Sequence, residues 1–265
     1  MNSQPIILPK RRIAARFGRA VDAYETGAGV QIELVKRVAD LVRGEIGAGQ
    51  LWCDVGSGSG MLLEYLRTAI PAKTRFVCLD LAFASLRRAL VARRTTLAVN
   101  GDIDFPPVRP EAFHGAVAAS VIQWTESPEA ALRNIARMLK PAGQLYFSIF
   151  VDGAFAELVE LKTRMKRPPA VWFPTVSELL MTLDRVGFDV SVEDIENFSQ
   201  TQYFADALSA LGNLSDIGVT ATGDRLLNRT ELDRLCRDYT LTYSKNGTIP
   251  LTYRAVIGKV RKRAE

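Results

Sequence analysis

Short runs of consecutive apolar residues along this chain alternate with longer stretches in which apolar positions recur every three or four residues. The first pattern predicts strands buried on both faces, the second amphipathic helices. Residues 11–43 carry the helical period: Ile13, Phe17, Ala20 and Tyr24, then Ile32, Leu34, Val35, Val38, Leu41 and Val42, broken near Gly27 and Gly29. One or two helices are expected there. Residues 50–55 predict a buried strand that runs into Gly56-Ser-Gly-Ser-Gly60, and a helix over 61–69 stopped by Pro71. Further strands are expected at 76–80, 97–99, 113–120 and 144–150. A basic helix over 82–94 and a helix over 127–139 separate them, the latter with Ser127 as N-cap and Pro128 in its first turn.

Beyond residue 150 the pattern loosens. It predicts helices over 152–185 with a break at Pro168-Pro169, a strand over 186–197, helices over 202–214 and 230–239, and a closing strand over 253–260. Strands alternating with helices imply an α/β fold, a mostly parallel sheet with helices on both faces. At 265 residues the economical division is a single domain over 1–265. Cap helices occupy 1–43, a ligand-binding core 44–150, and lid insertions with closing strands 151–265.

Composition narrows the chemistry. Apolar residues make up 48% and charged residues 24%, which excludes disordered, collagenous and disulfide-scaffold chains. One histidine, His114, serves the whole chain, and the three cysteines at 53, 78 and 236 have no C-x-x-C spacing. Metal sites and Ser-His or Cys-His machinery need more than that, so no metal is expected. His114 begins a strand and is expected to be structural or to face solvent. An odd number of scattered cysteines suits a reducing compartment, and the expected location is the cytoplasm. The Arg-rich, acid-poor start also fits a mitochondrial address, though a basic tail leading into a helix is the simpler expectation. No apolar run is long enough for a membrane span. The net charge of +5 comes without interleaved basic and aromatic residues, so neither membrane nor nucleic acid is expected as a partner.

The strongest local signal is Asp54-Val-Gly56-Ser-Gly58-Ser-Gly60 at a strand-to-helix junction. Glycines let a backbone approach a ligand closely, and the following helix N-terminus favours negative groups. A dinucleotide fingerprint G-x-G-x-x-G would need glycine at position 61, which is Met61. Asp80 closes the second strand, 20 residues after Gly60, where a carboxylate can accept ribose hydroxyls; that indicates a nucleoside without saying which. Asp102 follows Gly101 at the next strand end. Acids at the carboxyl ends of successive strands mark the place where open α/β sheets bind ligands.

The acid two residues before a G-x-G-x-G loop resembles motif I of class I S-adenosylmethionine-dependent methyltransferases. That resemblance implies a Rossmann-like, seven-stranded, mostly parallel sheet and S-adenosylmethionine as methyl donor. It implies cofactor contacts at Asp54, Gly56, Ser57, Gly58, Gly60, Asp80, Leu81, Asp102, Ile103 and Ser120. Asp102 would accept the adenine amino group and Ile103 would pack on the ring. The family often begins its fourth strand Phe-Asp; here it begins Phe113-His114. Phe17-Gly-Arg-Ala20-x-x-x-Tyr24 with Gln31 downstream, Ile122-Gln-Trp124, Phe204-Ala-Asp-Ala-Leu-Ser-Ala210 with Ile217-Gly218, and Gly247-Thr-Ile-Pro-Leu-Thr-Tyr253 are similar to the biotin-pathway malonyl-acyl-carrier-protein O-methyltransferases.

This narrower resemblance covers residues 12–260 and implies methyl transfer to the free carboxylate of a malonyl thioester. The thioester would be held on acyl carrier protein, or on coenzyme A, and the enzyme would be a monomer. A carboxylate is already ionised at neutral pH, so no general base is required, and catalysis would rest on positioning and exclusion of water. Tyr24, Gln123, Trp124 and Tyr253 are the candidates for lining the acceptor pocket, with an arginine or another donor expected on the malonyl carboxylate. Lys162, Arg164, Lys166 and Arg167 form a basic cluster that could dock an acidic carrier. A related family linked to complex I assembly and arginine hydroxylation shares the cofactor fold. A non-catalytic scaffold and a small-molecule methyltransferase also stand as alternatives.

Overall fold

A computed structural model describes residues 10–11, 13–15, 17–19, 29–92, 97–167, 173–216 and 227–264. Residues 10–19 are helical wherever described. The elements that follow are α1 (Gly29–Arg43), β1 (Leu51–Val55), α2 (Met61–Leu66), β2 (Arg75–Asp80), α3 (Phe83–Val91), β3 (Ala98–Asn100) and β4 (Phe113–Ala119). A 3-10 turn (Ile122–Trp124) leads to α4 (Pro128–Met138) and β5 (Leu139–Phe150). The second half contributes α5 (Ala156–Arg164), α6 (Val176–Arg185), β6 (Phe188–Asp189), β7 (Ile195–Phe204), α7 (Ala207–Asp216), α8 (Arg229–Tyr243) and β8 (Ile249–Lys262).

The sheet runs β3-β2-β1-β4-β5-β8-β6, with β7 also on β8. The first five strands are mutually parallel and β8 is antiparallel to β5. β6 pairs Arg261 and Lys262 of β8, whereas β7 pairs residues 249–258 of the same strand. The two therefore share one edge, and eight strands fill the seven positions expected of the class I methyltransferase fold. Strand order turns back at β1, so the crevice outside the carboxyl ends of β1 and β4 is the topological switch point.

Alternate residues of each strand feed two apolar layers. Trp52, Tyr146, Phe150, Tyr253 and Ile257 pack under α1, α2 and the second-half helices. Val55, Phe147, Ile149 and Val256 pack with Leu132 and Ile135 of α4 and Leu183 of α6 on the other face. Close approach of β1 to β4 depends on Gly115, where an added Cβ would lie 2.4 Å from the Trp52 ring. The expected start of α4 holds: Ser127 caps it by accepting from the Ala130 N–H at 3.2 Å, with Pro128 in its first turn.

Several boundaries differ from expectation. β5 begins directly at Leu139; residues 140–143 bulge out, and the ladder to β4 resumes at Gly115 opposite Gln144. The strand expected at 186–197 is instead the two-residue β6 followed by β7 at 195–204, and the helix expected from 202 begins at Ala207. Within β7 only Phe198 is buried, so the strand lacks the alternation that would have announced it. β8 also starts earlier than 253, because residues 249–254 pair with β7 beyond the end of the β5 ladder. Pro168 and Pro169 lie outside the described residues.

Candidate functional site

At the carboxyl ends of β1, β2, β3 and β4 the sheet opens into a cavity. Asp54, Gly56, Ser57 and Gly58 line it from β1, Asp80 and Leu81 from β2, Gly101 to Asp104 from β3, and Ala119 to Val121 from β4. Val35, Met61 and Leu62 form a wall, and Lys10, Ile13, Ala14, Phe17 and Trp124 stand over the opening.

The glycine loop follows from the tight exit of β1. Gly56 and Gly58 take φ of 64° and 54°, and Gly60 caps α2 at φ 79°, a left-handed run that glycine enters without steric cost. At Gly56 space also decides: an added Cβ would come within 2.2 Å of Val121 on the neighbouring β4 exit. Gly60 shapes this turn from behind and does not line the cavity. Ser120, directly after β4, holds φ 55° without being glycine, a conformation that costs about 1–3 kcal/mol and clusters at functional sites. Its N–H donates to the Ser148 carbonyl at 2.9 Å and its carbonyl accepts from Gln123 Nε2 at 3.0 Å, which fixes the turn.

The three acids anticipated from sequence converge on this cavity. Asp54 is 3% exposed and its Oδ2 has no hydrogen-bond partner. Burial, and then the nearby Asp80 charge, push its carboxyl well above the usual carboxylate range. Asp80 accepts from the Gly58 N–H on one oxygen and the Ala82 N–H on the other, each at 2.7 Å. Its pKa is still raised, because burial outweighs those two amides. An acid pinned in this way presents its remaining lone pairs to the cavity, as a diol site requires. Asp102 accepts from the Asp104 N–H at 2.9 Å, and Ile103 is buried beside it.

Sequence reasoning missed Lys10. Its ammonium pairs with both Asp102 and Asp104, and it lies 5.3 Å from the Phe105 ring centroid. Burial alone would lower its pKa; the two carboxylates outweigh burial and raise it. A lysine in a basic tail gives no signal of that contact. Asp104 was missed as well, although it stands two residues beyond Asp102 and receives the Glu126 N–H at 2.9 Å.

The four acceptor-pocket candidates separate. Trp124 lines the cavity and meets Phe17 edge-on, ring centroids 5.4 Å apart. Gln123 is buried behind the β4 exit, its Oε1 without a partner. Tyr253 is 1% exposed, packs edge-on to Phe155 at 5.0 Å and donates to Asn213 Oδ1 at 3.1 Å. It sits in the core below α7 and does not line the cavity. Tyr24 lies outside the described residues. The basic cluster is largely engaged: Arg164 pairs with Glu160, Arg167 with Glu231, and Lys162 is half-buried, its ammonium pushed down to about 8 by desolvation. Lys166 is exposed, as is Arg164.

Among the described residues there is no group of three or more His, Cys, Asp or Glu that could hold a metal ion. No described helix is long and apolar enough to cross a membrane. His114 sits at the opposite end of the sheet, where its Nδ1 accepts the Leu51 N–H at 3.1 Å.

Comparison with known proteins adds three findings. Residues 53–147 match the family model described as a methyltransferase domain. The chain is 28% identical over 236 residues to malonyl-[acyl-carrier protein] O-methyltransferase of Pseudescherichia vulneris, covering 86% of this chain and 89% of that protein. It is 28% identical over 263 residues to the protein of the same name from Salmonella typhimurium, covering 96% of this chain and 98% of the relative. In fold it is similar to the YcgJ protein of Bacillus subtilis, with TM-score 0.61, 15% identity, and coverage of 86% of this chain and 99% of that one.

Proposed function

We propose that this chain, whose core is a methyltransferase domain, transfers a methyl group from S-adenosylmethionine to the free carboxylate of a malonyl thioester on acyl carrier protein. The product is the malonyl methyl ester that starts pimeloyl synthesis for biotin. The observation that carries this reading is the extent of the likeness. Relatives with that printed name match 96% of the chain, well beyond the 53–147 core that many methyltransferases share.

The residues of the cavity fit the cofactor. A glycine cradle that a Cβ would fill, a buried carboxylate with an orphaned oxygen at Asp54, and a pinned Asp80 suit a nucleoside that bears positive charge. Asp54 would face the cationic end, Asp80 the ribose hydroxyls, and Asp102 the adenine amino group with Ile103 and Leu81 against the ring. Bound S-adenosylmethionine supplies a methyl on a sulfonium, an electrophile whose leaving group departs neutral, so a carboxylate oxygen takes the methyl in line with no proton to move.

The chain's own task is therefore placement. The strained Ser120 turn fixes the floor beneath the reacting atoms, while Trp124 and Phe17 close the opening against water. The scarcity of imidazole is compatible with an acceptor that arrives ionised.

The deciding experiment incubates the protein with S-adenosylmethionine and either malonyl- or acetyl-acyl carrier protein, then weighs the carriers. The expected outcome is a gain of one methylene on the malonyl form alone. No gain on either form would overturn the proposal and favour the arginine-hydroxylase alternative on the same fold.

A further inference from the structure

Helix α1 crosses the sheet with its N-terminus at the ligand end. Near its C-terminus Glu45 pairs with Lys259, which lies opposite Tyr146 early in β5. At its start, Gly29 approaches the Gln202 amide of β7, and Gln202 pairs with Leu251, beyond the carboxyl end of β5. Val35 lines the cofactor cavity. Gln31 lies one turn earlier on the same face, closer to the carboxyl ends of the strands, and it does not line that cavity.

Gln31 is 3% exposed and its Nε2 has no hydrogen-bond partner. A buried amide donor left unpaired is costly, and native folds rarely keep one without a use. The neighbours make the point sharper: Val30, Leu34 and Val38 around it are fully apolar core residues, so leucine would be the expected occupant. The 15-residue helix also has no acidic side chain in its first turn, so nothing within that turn offsets the positive end of its dipole. A buried unpaired donor and a helix N-terminus at one point call for an anion with oxygen acceptors.

We infer that Gln31 and the first turn of α1 form the subsite that holds the acceptor's carboxylate beside the cofactor. The inference rests on the carboxylate-methylation reading and names the donor which that reading requires. Gln31 is uncharged, so it orients the carboxylate without neutralising it. The oxygen stays nucleophilic, whereas a tight arginine pair would draw off its charge.

The test uses the full chain with Gln31→Leu and Gln31→Glu. Leucine removes the donor and keeps the volume, so the variant should melt at the wild-type temperature or a few degrees above it. Its affinity for S-adenosylmethionine by calorimetry should stay within about twofold. The kcat/KM for malonyl-acyl carrier protein should fall about 10- to 100-fold, the worth of a hydrogen bond to a charged acceptor. Gln31→Glu should lose more, and regain activity as pH falls and its new carboxyl protonates, a profile that a packing defect would not produce. An unchanged kcat/KM in Gln31→Leu, or a loss confined to cofactor affinity, overturns the assignment. A second readout separates the subsite from the substrate: binding of free malonate in the presence of S-adenosylhomocysteine, followed by NMR. If wild type methylates no malonyl carrier yet malonate binds and Gln31→Leu abolishes that binding, the substrate reading fails and the subsite stands. Malonate that binds both proteins alike, or neither, overturns the subsite.

Discussion

The two ends of the same parallel sheet treat their polar groups in opposite ways. At the amino end each named group is answered: Leu51 N–H reaches His114, the Lys262 ammonium donates to the Leu139 carbonyl at 2.8 Å, and Trp52 Nε1 donates to Gln50 at 2.8 Å. At the carboxyl end Asp54 Oδ2, Ser57 Oγ, Asp104 Oδ1, Gln123 Oε1 and Gln31 Nε2 are buried without partners. Both ends belong to the same sheet, but the paired groups at the amino end are part-buried and the unpaired ones at the carboxyl end are fully shielded. Unpaired buried groups gathered at one end of a sheet are what a ligand that brings its own donors and acceptors would answer.

The contrast can be broken most directly by paired substitutions. Asp80→Ala should weaken S-adenosylmethionine binding by about 100-fold, because it removes the proposed acceptor for two hydroxyls and releases two backbone N–H groups. His114→Gln, at the satisfied end, should leave affinity within about twofold. Calorimetry on the two variants decides; equal effects would dissolve the distinction between the ends.

Next in size is Gly56→Ala. Positive φ and a Cβ 2.2 Å from Val121 should together cost roughly 2–4 kcal/mol of stability, read as a lower denaturant midpoint, with cofactor binding lost as well. Gly49→Ala, also at positive φ (75°) but with open space around it, should cost about 1 kcal/mol. The difference between the two measures close approach apart from backbone strain.

The smallest effect is a pH dependence. Burial and Asp80 raise the Asp54 pKa in the free protein, and a bound cation favours the ionised form. Binding therefore releases protons. Affinity should rise with pH while free Asp54 titrates, by at most about tenfold per unit, and level off above that range. The same raised pKa makes Asp54 destabilising to the free fold once it ionises, so the fold should gain from acid at this site and lose that gain as pH rises. Asp54→Asn should flatten the affinity profile; a slope that survives it would assign the proton elsewhere.

Much of the carboxyl end is legible in the sequence. The apolar strand, the G-x-G-x-G loop and the acids at Asp80 and Asp102 are local signals, each set by one strand end and one turn. Ser127-Pro128 announced α4 for the same reason. β7 was not legible because an edge strand with Phe198 as its buried residue carries no alternation. Lys10 depends on a contact across 92 residues, which no local pattern encodes. Tyr253 was expected at the pocket from its place in the Gly247–Tyr253 segment that resembles the carboxyl methyltransferases, but its side of the strand faces the core under α7. Gln31 did leave a trace: one amide inside an otherwise apolar stripe. That it is buried with an unpaired Nε2 depends on packing that the sequence alone does not show.

Helix α1 places Val35 in the cofactor cavity and Gln31 one turn away from it. Val35 and Gln31 sit one turn apart on a single helix, which is the direct structural link between the two positions. Two sites joined in this way exchange free energy, and linkage makes the exchange symmetric: whatever factor the cofactor adds to acceptor affinity, the acceptor returns to the cofactor. On the proposed reading, α1 would couple acceptor binding to the state of the cofactor, since spent and fresh cofactor differ by a charge and a methyl group.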